Sequence, residues 1–286
     1  MEAVPEKKRV TVDGQDYELV FGRPASLTSK PFTYCPGCNH GTIHRLVAEV
    51  IDELGIQHRC VGMASVGCSV FSYEFFDFDF ISCAHGRALA VATGVKRVQP
   101  DTVVLSYQGD GDLAAIGTAE TIHAANRGER ITTIFVNNAI YGMTGGQMAP
   151  TTIIGQRTTT TPEGRDEHRI GWPIRMSEML ALLPGVAFVA RTTCHDAKSI
   201  LKTKVAIKKA FRAQLEDRGF SMVEILSNCN VNWRMTPQDA VNWVGEEMTK
   251  VFPPGTYKDV FAEDQEKARA DAPSKTKAQS SEKTEV

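Results

Sequence analysis

The strongest constraint on the fold is an alternation of apolar runs with amphipathic segments along most of the chain. Thr102 to Gln108, Ile131 to Val136 and Phe220 to Leu226 are largely apolar runs, typical of strands buried on both faces. Between them lie segments with helical periodicity, the longest from about Asp196 to Asp217. Strands that alternate with helices form parallel βαβ units, so the sequence predicts an α/β fold with a mostly parallel sheet flanked by helices on both faces. Further predicted elements are helices over residues 43–54, 112–126 and 237–250 and a strand over residues 186–190.

The predicted domain organisation has one large domain between two dissimilar ends. Residues 26–261 are predicted to form the α/β domain. Residues 1–25, with Asp13-Gly14 between two strand-like runs, are predicted to form a β-hairpin arm. In residues 262–286 the only apolar residues are Ala and one Val, so this segment cannot offset its ordering entropy and is predicted to be a disordered charged tail. The stretch from Gly142 to Pro173 lacks any pattern, and a loop that long is usually functional or disordered.

Charge and hydropathy exclude several classes of protein. The 32 Lys and Arg residues nearly balance the 34 Asp and Glu residues, whereas a chain devoted to nucleic acid would have a basic excess. No apolar run approaches the roughly 18 to 20 residues that a membrane helix needs. The N-terminal residues show no apolar segment behind their basic residues, so a cytoplasmic location is expected. In that reducing compartment the 7 cysteines are expected to serve a metal or redox role rather than form disulfides.

A short motif of glycines and aspartates directly follows one buried strand and opens a helix. In Gly109-Asp110-Gly111-Asp112, the glycines let backbone N–H groups approach a phosphate, and the helix N-terminus favours negative charge. The two carboxylates would repel a bare diphosphate, so a cation is expected between them, and Mg²⁺ bridges carboxylates to phosphates. The spacing completes neither a dinucleotide-binding fingerprint nor a phosphate-binding loop with its lysine. A turn that merely ends a strand is the structural alternative.

The next predicted strand ends in a pair of asparagines, Asn137 and Asn138. One strand–helix–strand crossover separates Asp110 from Asn138. Such a crossover brings both side chains to the carboxyl edge of neighbouring strands, where α/β folds bind ligands. The loop from Tyr141 to Gly146 follows at the same edge, and it strengthens the prediction of a phosphate and cation site there.

A Cys-x-x-Cys motif, Cys35-Pro36-Gly37-Cys38, precedes the first predicted helix and admits three kinds of site. The pair could form a redox disulfide, half of a zinc site or half of an iron–sulfur site. A redox disulfide is disfavoured because the motif does not follow an early strand of a βαβ unit, and the second such pair of a zinc ribbon does not occur in the sequence. Spacing alone does not choose further thiolates among the remaining cysteines, which are Cys60, Cys68, Cys83, Cys194 and Cys229.

The succession of GDG and, one crossover later, NN resembles the signature of thiamine-diphosphate enzymes. From about Pro31 to Trp233 the chain resembles the β subunit of 2-oxoacid:ferredoxin oxidoreductases. The matching stretches are YCPGCNHG, SVGCSVF, AHGRALAVATGVKR, SYQGDGDLAAIGTAE, NNAIYGMTGGQMAPTT and ILSNCNVNW. The resemblance implies a thiamine-diphosphate-binding domain that also carries an iron–sulfur cluster.

The resemblance also assigns residues to each cofactor. Mg²⁺ would take side-chain ligands from Asp110 and Asn138 and a backbone carbonyl from Ile140. One [4Fe–4S] cluster would be held by four cysteines, which are Cys35, Cys38, Cys68 and Cys229. The wider set of residues expected at the cofactors is Cys35, Pro36, Gly37, His40, Gly67, Ser69, His85, Gly109, Asp110, Gly111, Asp112, Asn138, Ile140, Gly142, Met143 and Thr144. Cys60, Cys83 and Cys194 have no counterpart in the family's pattern and are expected to be structural.

The activity implied by the resemblance is the coenzyme A-dependent oxidative decarboxylation of a 2-oxoacid to acyl-CoA and CO₂, with electrons passed to ferredoxin. In this family the glutamate that activates thiamine comes from another domain or chain. An α subunit that supplies the pyrimidine-binding domain is therefore an expected partner, and γ and ferredoxin-like δ subunits are further candidates. The chain alone is expected to be inactive.

Two side chains are candidates for contact with the substrate. His85 follows a predicted strand and could face the cofactor, with a structural role in the helix N-terminal turn as the alternative. Phe71 follows Cys68, in a turn where 2-oxoglutarate-using relatives tend to carry a basic residue nearby. An apolar side chain there favours a branched-chain 2-oxoacid such as 2-oxoisovalerate over 2-oxoglutarate or pyruvate. Two alternative functions stay open, that of a non-redox thiamine-diphosphate enzyme subunit and that of a zinc-binding module.

Overall fold

A seven-stranded sheet forms the centre of the computed structural model, which describes residues 9–19 and 21–271. The strands are β1 (Arg9–Val12), β2 (Gln15–Glu18), β3 (Cys60–Ala64), β4 (Asp79–Ser82), β5 (Val103–Gly109), β6 (Thr132–Asn137), β7 (Val186–Thr193), β8 (Phe220–Leu226) and β9 (Gly255–Asp259). The α-helices are α1 (His40–Leu54), α2 (Ser72–Phe75), α3 (Ala88–Val98), α4 (Thr118–Asn126), α5 (Glu167–Ile170), α6 (Met176–Ala181), α7 (Ala197–Leu215), α8 (Asn230–Trp233), α9 (Pro237–Trp243), α10 (Thr249–Val251) and α11 (Val260–Asp271). The strand order is β4-β3-β5-β6-β8-β7-β9, and of these pairs only β7 with β9 is antiparallel.

Helices cover both faces of this sheet, which confirms the predicted fold. Helices α1 and α7 bury their apolar faces in one core, where they meet Val103 and Leu105 of β5. Helices α3, α4 and α6 pack on the opposite face, where Val104 of the same strand points. Because successive side chains of a strand alternate between faces, a strand buried on both faces is mainly apolar, as β5 is from Val103 to Leu105.

Several elements differ from the sequence predictions, and three of the differences have a clear physical reason. The predicted helix from Asp112 begins as a π-helical turn, Asp112–Ile116, before α4. The antiparallel edge strand β9 was not predicted, since its sequence GTYKD is short and half polar. At the C-terminus, α11 extends into the segment predicted to be disordered, so that prediction is corrected as far as Asp271.

Helix α11 is ordered by contacts that composition does not reveal. Phe261 packs against the first core, and Asp264 forms an ion pair with Arg218. At the other end of the chain, β1 and β2 pair antiparallel across the turn at Asp13-Gly14. The first eight residues of the predicted arm and residues 272–286 of the predicted tail lie outside the described residues.

A buried ion-pair network ties three strands together. Arg191 of β7 donates from Nε to Oε2 of Glu224 in β8 at 2.8 Å and pairs at its far end with Glu178. Oε1 of Glu224 accepts from Asn137 Nδ2 in β6 at 2.8 Å, and Oε2 also accepts from the hydroxyl of Ser177. Every polar atom of Glu224 is therefore engaged, away from water.

Replacing Glu224 by Gln is expected to destabilise the protein by about 3 kcal/mol, because it leaves a buried guanidinium with one less counter-charge. Chemical denaturation monitored by circular dichroism would measure the free energy of unfolding. Glu216→Gln is the matched control, since Glu216 forms a solvent-exposed pair with Arg212 that should be worth no more than about 1 kcal/mol. Equal losses for the two variants would show that the buried network carries no special weight.

The patternless stretch from Gly142 to Pro173 is ordered around one arginine. The guanidinium of Arg165 donates to the carbonyl oxygens of Pro150 and Thr152 at 2.8 and 2.7 Å. It also donates to those of Gly171 and Trp172 at 2.9 and 2.8 Å. A loop without secondary structure must satisfy its carbonyl groups by other means, and here one buried side chain satisfies four of them.

Candidate functional site

A cavity of about 240 Å³ opens at the carboxyl edge of the sheet, near the ends of β3, β5 and β6. The residues named from the sequence that line it are His40, Gly67, Ser69, His85, Gly109, Asp110, Gly111, Asp112, Asn138, Ile140, Gly142, Met143 and Thr144, together with Cys68. Cys35, Pro36 and Gly37 are outside this lining. The crossover between β5 and β6 thus brings the GDG turn, the second asparagine and the loop after it to one place.

The side chain of Asn138, the carbonyl oxygen of Ile140 and Asp110 Oδ2 converge on one side of the cavity. With its amide nitrogen facing these two oxygens, Asn138 Nδ2 donates to the Ile140 carbonyl at 2.7 Å and to Asp110 Oδ2 at 3.2 Å. In the opposite amide orientation Asn138 would present Oδ1 there instead, as a third oxygen ligand for a cation. These are the three groups that the resemblance assigns to Mg²⁺, which prefers oxygen ligands.

Asp110 is held in place by donors on both of its oxygens. Oδ2 accepts from the Ile140 N–H at 3.1 Å and from the Thr151 hydroxyl at 3.0 Å, and Oδ1 accepts from the Gly111 N–H at 2.9 Å. These bonds favour the carboxylate, but burial outweighs them and raises the pKa of Asp110 to about 7. A divalent cation beside the group would favour its charged form. The position is therefore costly for a lone carboxylate and suited to a cation ligand.

Asp112, two residues further along, has a different role. Its Oδ1 accepts from His85 Nδ1 at 2.5 Å and from the Gly86 N–H at 2.7 Å, and its Oδ2 accepts from Gln108 Nε2 at 2.6 Å. With both oxygens engaged, Asp112 fixes the turn that carries His85, and it is Asp110 that faces Asn138 and Ile140. Because a carboxylate accepts hydrogen bonds, the shared proton is on Nδ1 and Nε2 of His85 is left available.

The two asparagines at the end of β6 also divide their roles. Asn137 donates to Glu224 inside the sheet and accepts the Ala139 N–H at 3.1 Å, so it is part of the buried network. Asn138 lines the cavity. Adjacent residues of a strand point to opposite sides, so only one member of the pair can reach the site.

His40 forms a buried wall of the cavity. Its Nδ1 lies 2.8 Å from the Tyr107 hydroxyl, and the Tyr34 ring stacks on the imidazole with centroids 4.5 Å apart. Burial lowers the pKa of His40 to about 4, so the ring is neutral at neutral pH. A neutral imidazole that is engaged through Nδ1 keeps its second nitrogen as a hydrogen-bonding group.

Cys229 is held next to the Cys35–Cys38 turn by hydrogen bonds from the two asparagines that flank it in the sequence. Asn228 Nδ2 donates to the Gly37 carbonyl at 2.8 Å, and Asn230 Nδ2 donates to the Pro36 carbonyl at 3.1 Å. These two bonds flank Cys229 and bring distant parts of the chain together. The motif ILSNCNVNW therefore needs its asparagines as much as its cysteine.

The thiols of the four predicted cluster ligands affect one another's ionisation. Burial raises the pKa of Cys38 to about 11 and that of Cys68 to about 12, and Cys35 and Cys229 add to both shifts by charge repulsion. The pKa of Cys229 is also raised, mainly by burial. These shifts disfavour the thiolate forms, so four thiolates here would need a compensating positive charge, which a metal centre supplies. Across residues 9–19 and 21–271, no three His, Cys, Asp or Glu side chains lie close enough to hold a single metal ion.

The remaining cysteines are packed elsewhere. Cys60 and Cys194 belong to the first core, and Cys83 contacts the Met63 sulfur at 4.0 Å. Burial raises the pKa of each of these three thiols above its ordinary value. This placement agrees with the structural role expected of them.

Several residues of the site were not named from the sequence. Thr151, which binds Asp110, lies in the patternless stretch, where only its threonine-rich composition marks it. The additional lining residues are Val66, Ala115, Ile116, Val136 and Tyr141. Phe71 is outside the lining, and its ring packs edge-on against Tyr34 with centroids 6.0 Å apart.

None of the described helices is long and apolar enough to cross a membrane.

Comparisons with known proteins agree with this geometry. The family model of the thiamine pyrophosphate enzyme C-terminal TPP binding domain matches residues 62–225. The chain is 34% identical over 220 residues to the 2-oxoglutarate synthase subunit KorB of Archaeoglobus fulgidus, an alignment that covers 77% of this chain and 78% of that protein. This chain belongs to the 2-oxoacid:ferredoxin oxidoreductase family. The resemblance read from its motifs is confirmed, and so is its thiamine-diphosphate-binding domain.

Two further relatives place the chain within this family. It is 47% identical over 253 residues to the ketoisovalerate oxidoreductase subunit VorA of Methanothermobacter thermautotrophicus, covering 88% of this chain but 53% of that protein. The chain therefore spans about half the length of VorA. The solved 2-oxoglutarate:ferredoxin oxidoreductase of Magnetococcus marinus superposes with a TM-score of 0.68 at 26% identity, over 90% of this chain and 94% of that one.

Proposed function

We propose that this chain is the β subunit of a 2-oxoacid:ferredoxin oxidoreductase, and that it binds Mg²⁺–thiamine diphosphate and one [4Fe–4S] cluster. The observation that carries the proposal is a single cavity lined both by the assigned magnesium ligands and by one assigned cluster cysteine. Asp110, Asn138 and Ile140 meet on one side, and Cys68 lies in the wall of the same cavity. Burial and, after it, charge repulsion from the other three assigned cysteines raise the pKa of Cys68.

When bound, thiamine diphosphate supplies an electron sink for decarboxylation, and an iron–sulfur cluster supplies a one-electron acceptor. The residues of this chain would serve them as follows. Asp110, Asn138 and the Ile140 carbonyl would hold Mg²⁺, and Gly111 and Thr144 would contact the diphosphate.

The histidines of the cavity have roles that follow from their partners. His85, oriented by Asp112 through Nδ1, would accept or return a proton at Nε2. His40, neutral because it is buried, would donate or accept one hydrogen bond without adding charge. The apolar side chains between them would keep water from the reacting groups.

The lining of the cavity favours an apolar 2-oxoacid. Val66, Ile116, Val136 and Met143 form apolar walls that suit a branched aliphatic group. A second carboxylate on the substrate, as in 2-oxoglutarate, would require a cationic partner to offset its desolvation. VorA, at 47% identity, is named for ketoisovalerate, whereas KorB, at 34%, is named for 2-oxoglutarate. We therefore favour 2-oxoisovalerate, with 2-oxoglutarate and pyruvate as alternatives.

The proposal requires partner chains. The relatives named VorA are about twice as long as the aligned region, so about half of each has no counterpart here. An α subunit would supply the pyrimidine-binding domain and the activating glutamate, and γ and ferredoxin-like δ subunits would complete the complex. Coenzyme A and ferredoxin would be its co-substrates, as the names of the relatives and the ligands of the Magnetococcus enzyme suggest.

The test is the 2-oxoacid profile of the assembled complex, measured anaerobically as coenzyme A-dependent ferredoxin reduction. We expect kcat/KM for 2-oxoisovalerate to exceed that for 2-oxoglutarate at least about tenfold, because a hydrophobic pocket discriminates by 1–3 kcal/mol even for one methylene. This chain alone should give no turnover. Bound thiamine without iron, and decarboxylation without ferredoxin, would instead indicate a non-redox thiamine enzyme. Zinc without thiamine would indicate a zinc-binding module.

A further inference from the structure

The side-chain amide of Asn232, in α8, bridges the two proposed cofactor sites. Its Nδ2 donates to Cys229 Sγ at 3.2 Å and to the Gly142 carbonyl at 2.9 Å. An amide nitrogen carries two protons, so both hydrogen bonds can form at the same time. One end of the bridge is an assigned cluster ligand, and the other is the first glycine of the loop that holds Met143 and Thr144.

The loop is shaped to fit this one amide. A Cβ atom on Gly142 would lie 3.2 Å from Cys229 Sγ and 3.7 Å from Asn232 Nδ2, and a Cβ on Gly146 would lie 3.0 Å from Asn232 Oδ1. Side chains at either position would push the loop away from α8. The glycines of the YGMTGG loop therefore permit close approach to Asn232 and Cys229, besides any contact they make with a phosphate.

We propose that Asn232 is a positioning residue that sets the reduction potential of the cluster through Cys229 and holds the diphosphate-binding loop through Gly142. The inference rests on the proposed function and names how its two cofactor sites are linked. A hydrogen bond to a cluster thiolate stabilises the extra negative charge of the reduced state, so it raises the potential. The same amide fixes the loop backbone, so loss of its two donors should change both cofactor sites at once.

The experiment is an EPR-monitored redox titration of the assembled complex carrying Asn232→Asp. Aspartate has the same shape but offers no N–H donor, and it adds negative charge beside the sulfur. We expect the equilibrium constant for one-electron reduction to fall about tenfold, which is a shift of 59 mV toward negative potential. The dissociation constant of Mg²⁺–thiamine diphosphate should rise about tenfold, in the range found when groups that orient ligands are removed. Asn232→Ala, which adds no charge, should shift both quantities in the same direction.

Asn242→Asp is the matched control, because Asn242 is exposed on α9 and hydrogen-bonds only to Gln238 among the described residues. It should leave the potential and the cofactor affinity unchanged. Iron content is measured on every preparation. An unchanged potential in both Asn232 variants at full iron content would overturn the inference. Wild-type complex that contains no iron would overturn the proposed function itself, which keeps the two failures distinct.

Discussion

Replacing Asp110 by asparagine will remove the affinity for Mg²⁺–thiamine diphosphate, with an expected rise in its dissociation constant of about 10³-fold or more. Asp110 is the only anionic group among the three that converge there, with Asn138 and the Ile140 carbonyl, so the variant keeps the shape of the site and loses its charge. Groups that merely orient metal ligands cost 10–100-fold when removed, so a charged ligand should cost more. Isothermal titration calorimetry with Mg²⁺ present measures the effect.

The same variant should change the stability of the fold little, because two effects oppose each other. Burial raises the pKa of Asp110, so a neutral amide avoids the cost of a buried charge. The amide nitrogen, however, must face a donor, either the Gly111 N–H or the Ile140 N–H. The melting temperature without cofactor should therefore change by a few degrees at most, that is by about 1 kcal/mol or less. Asp101→Asn, at an exposed position, is the control and should bind the cofactor normally. Normal cofactor binding by the Asp110 variant would show that the magnesium site lies elsewhere.

If the proposed cluster is present, replacing Cys68 by alanine will abolish electron transfer to ferredoxin, because the cluster loses the proposed ligand that lies in the wall of the cavity. Iron content should fall from about four per chain to a small fraction of that, since a four-iron cluster takes four cysteine thiolates. The affinity for thiamine diphosphate should change little, because Asp110 and Asn138 are intact. Iron analysis, EPR and calorimetry on one preparation separate these effects.

Cys60→Ala is the control for this second substitution. Cys60 is buried in the first core and behaves as a small hydrophobic residue. The variant should keep its iron and its ferredoxin reduction, with a modest loss of stability. If the two cysteine variants lose iron equally, the assignment of ligands is wrong.

Sequence patterns predicted strands correctly where both faces of the strand are buried, because such strands consist mainly of apolar residues. The strand Phe220–Leu226 has the same bounds in sequence and structure, because every position in it is buried. The edge strand β9 is only partly buried and therefore need not be apolar, so its sequence does not identify it as a strand. Helix α11 depends on Phe261 and Arg218, which are far apart in the chain, and composition cannot report such a contact.

The candidate site was predicted at the level of motifs, but not of individual orientations. Asp110 and Asp112 are chemically alike and two residues apart, yet only one faces the converging groups, since the other is engaged by His85 and Gln108. The role of Asn232 was also invisible, because it arises where α8 meets a loop ninety residues away. Such roles depend on tertiary contacts that no local pattern encodes.

Arg165, which orders the patternless stretch, acts at a distance on the proposed magnesium ligands. Its guanidinium donates hydrogen bonds to the carbonyls of Pro150 and Thr152, on either side of Thr151. The Thr151 hydroxyl in turn donates to Asp110. The Thr152 hydroxyl donates to the Ala139 carbonyl, next to Asn138. The hydrogen bonds of Arg165 act as a non-covalent cross-link, because their acceptor carbonyls belong to two separate segments, at residues 150–152 and 171–172. Loss of the Arg165 guanidinium would therefore loosen the segment that carries Thr151 and, through it, the carboxylate of Asp110, which Arg165 does not contact.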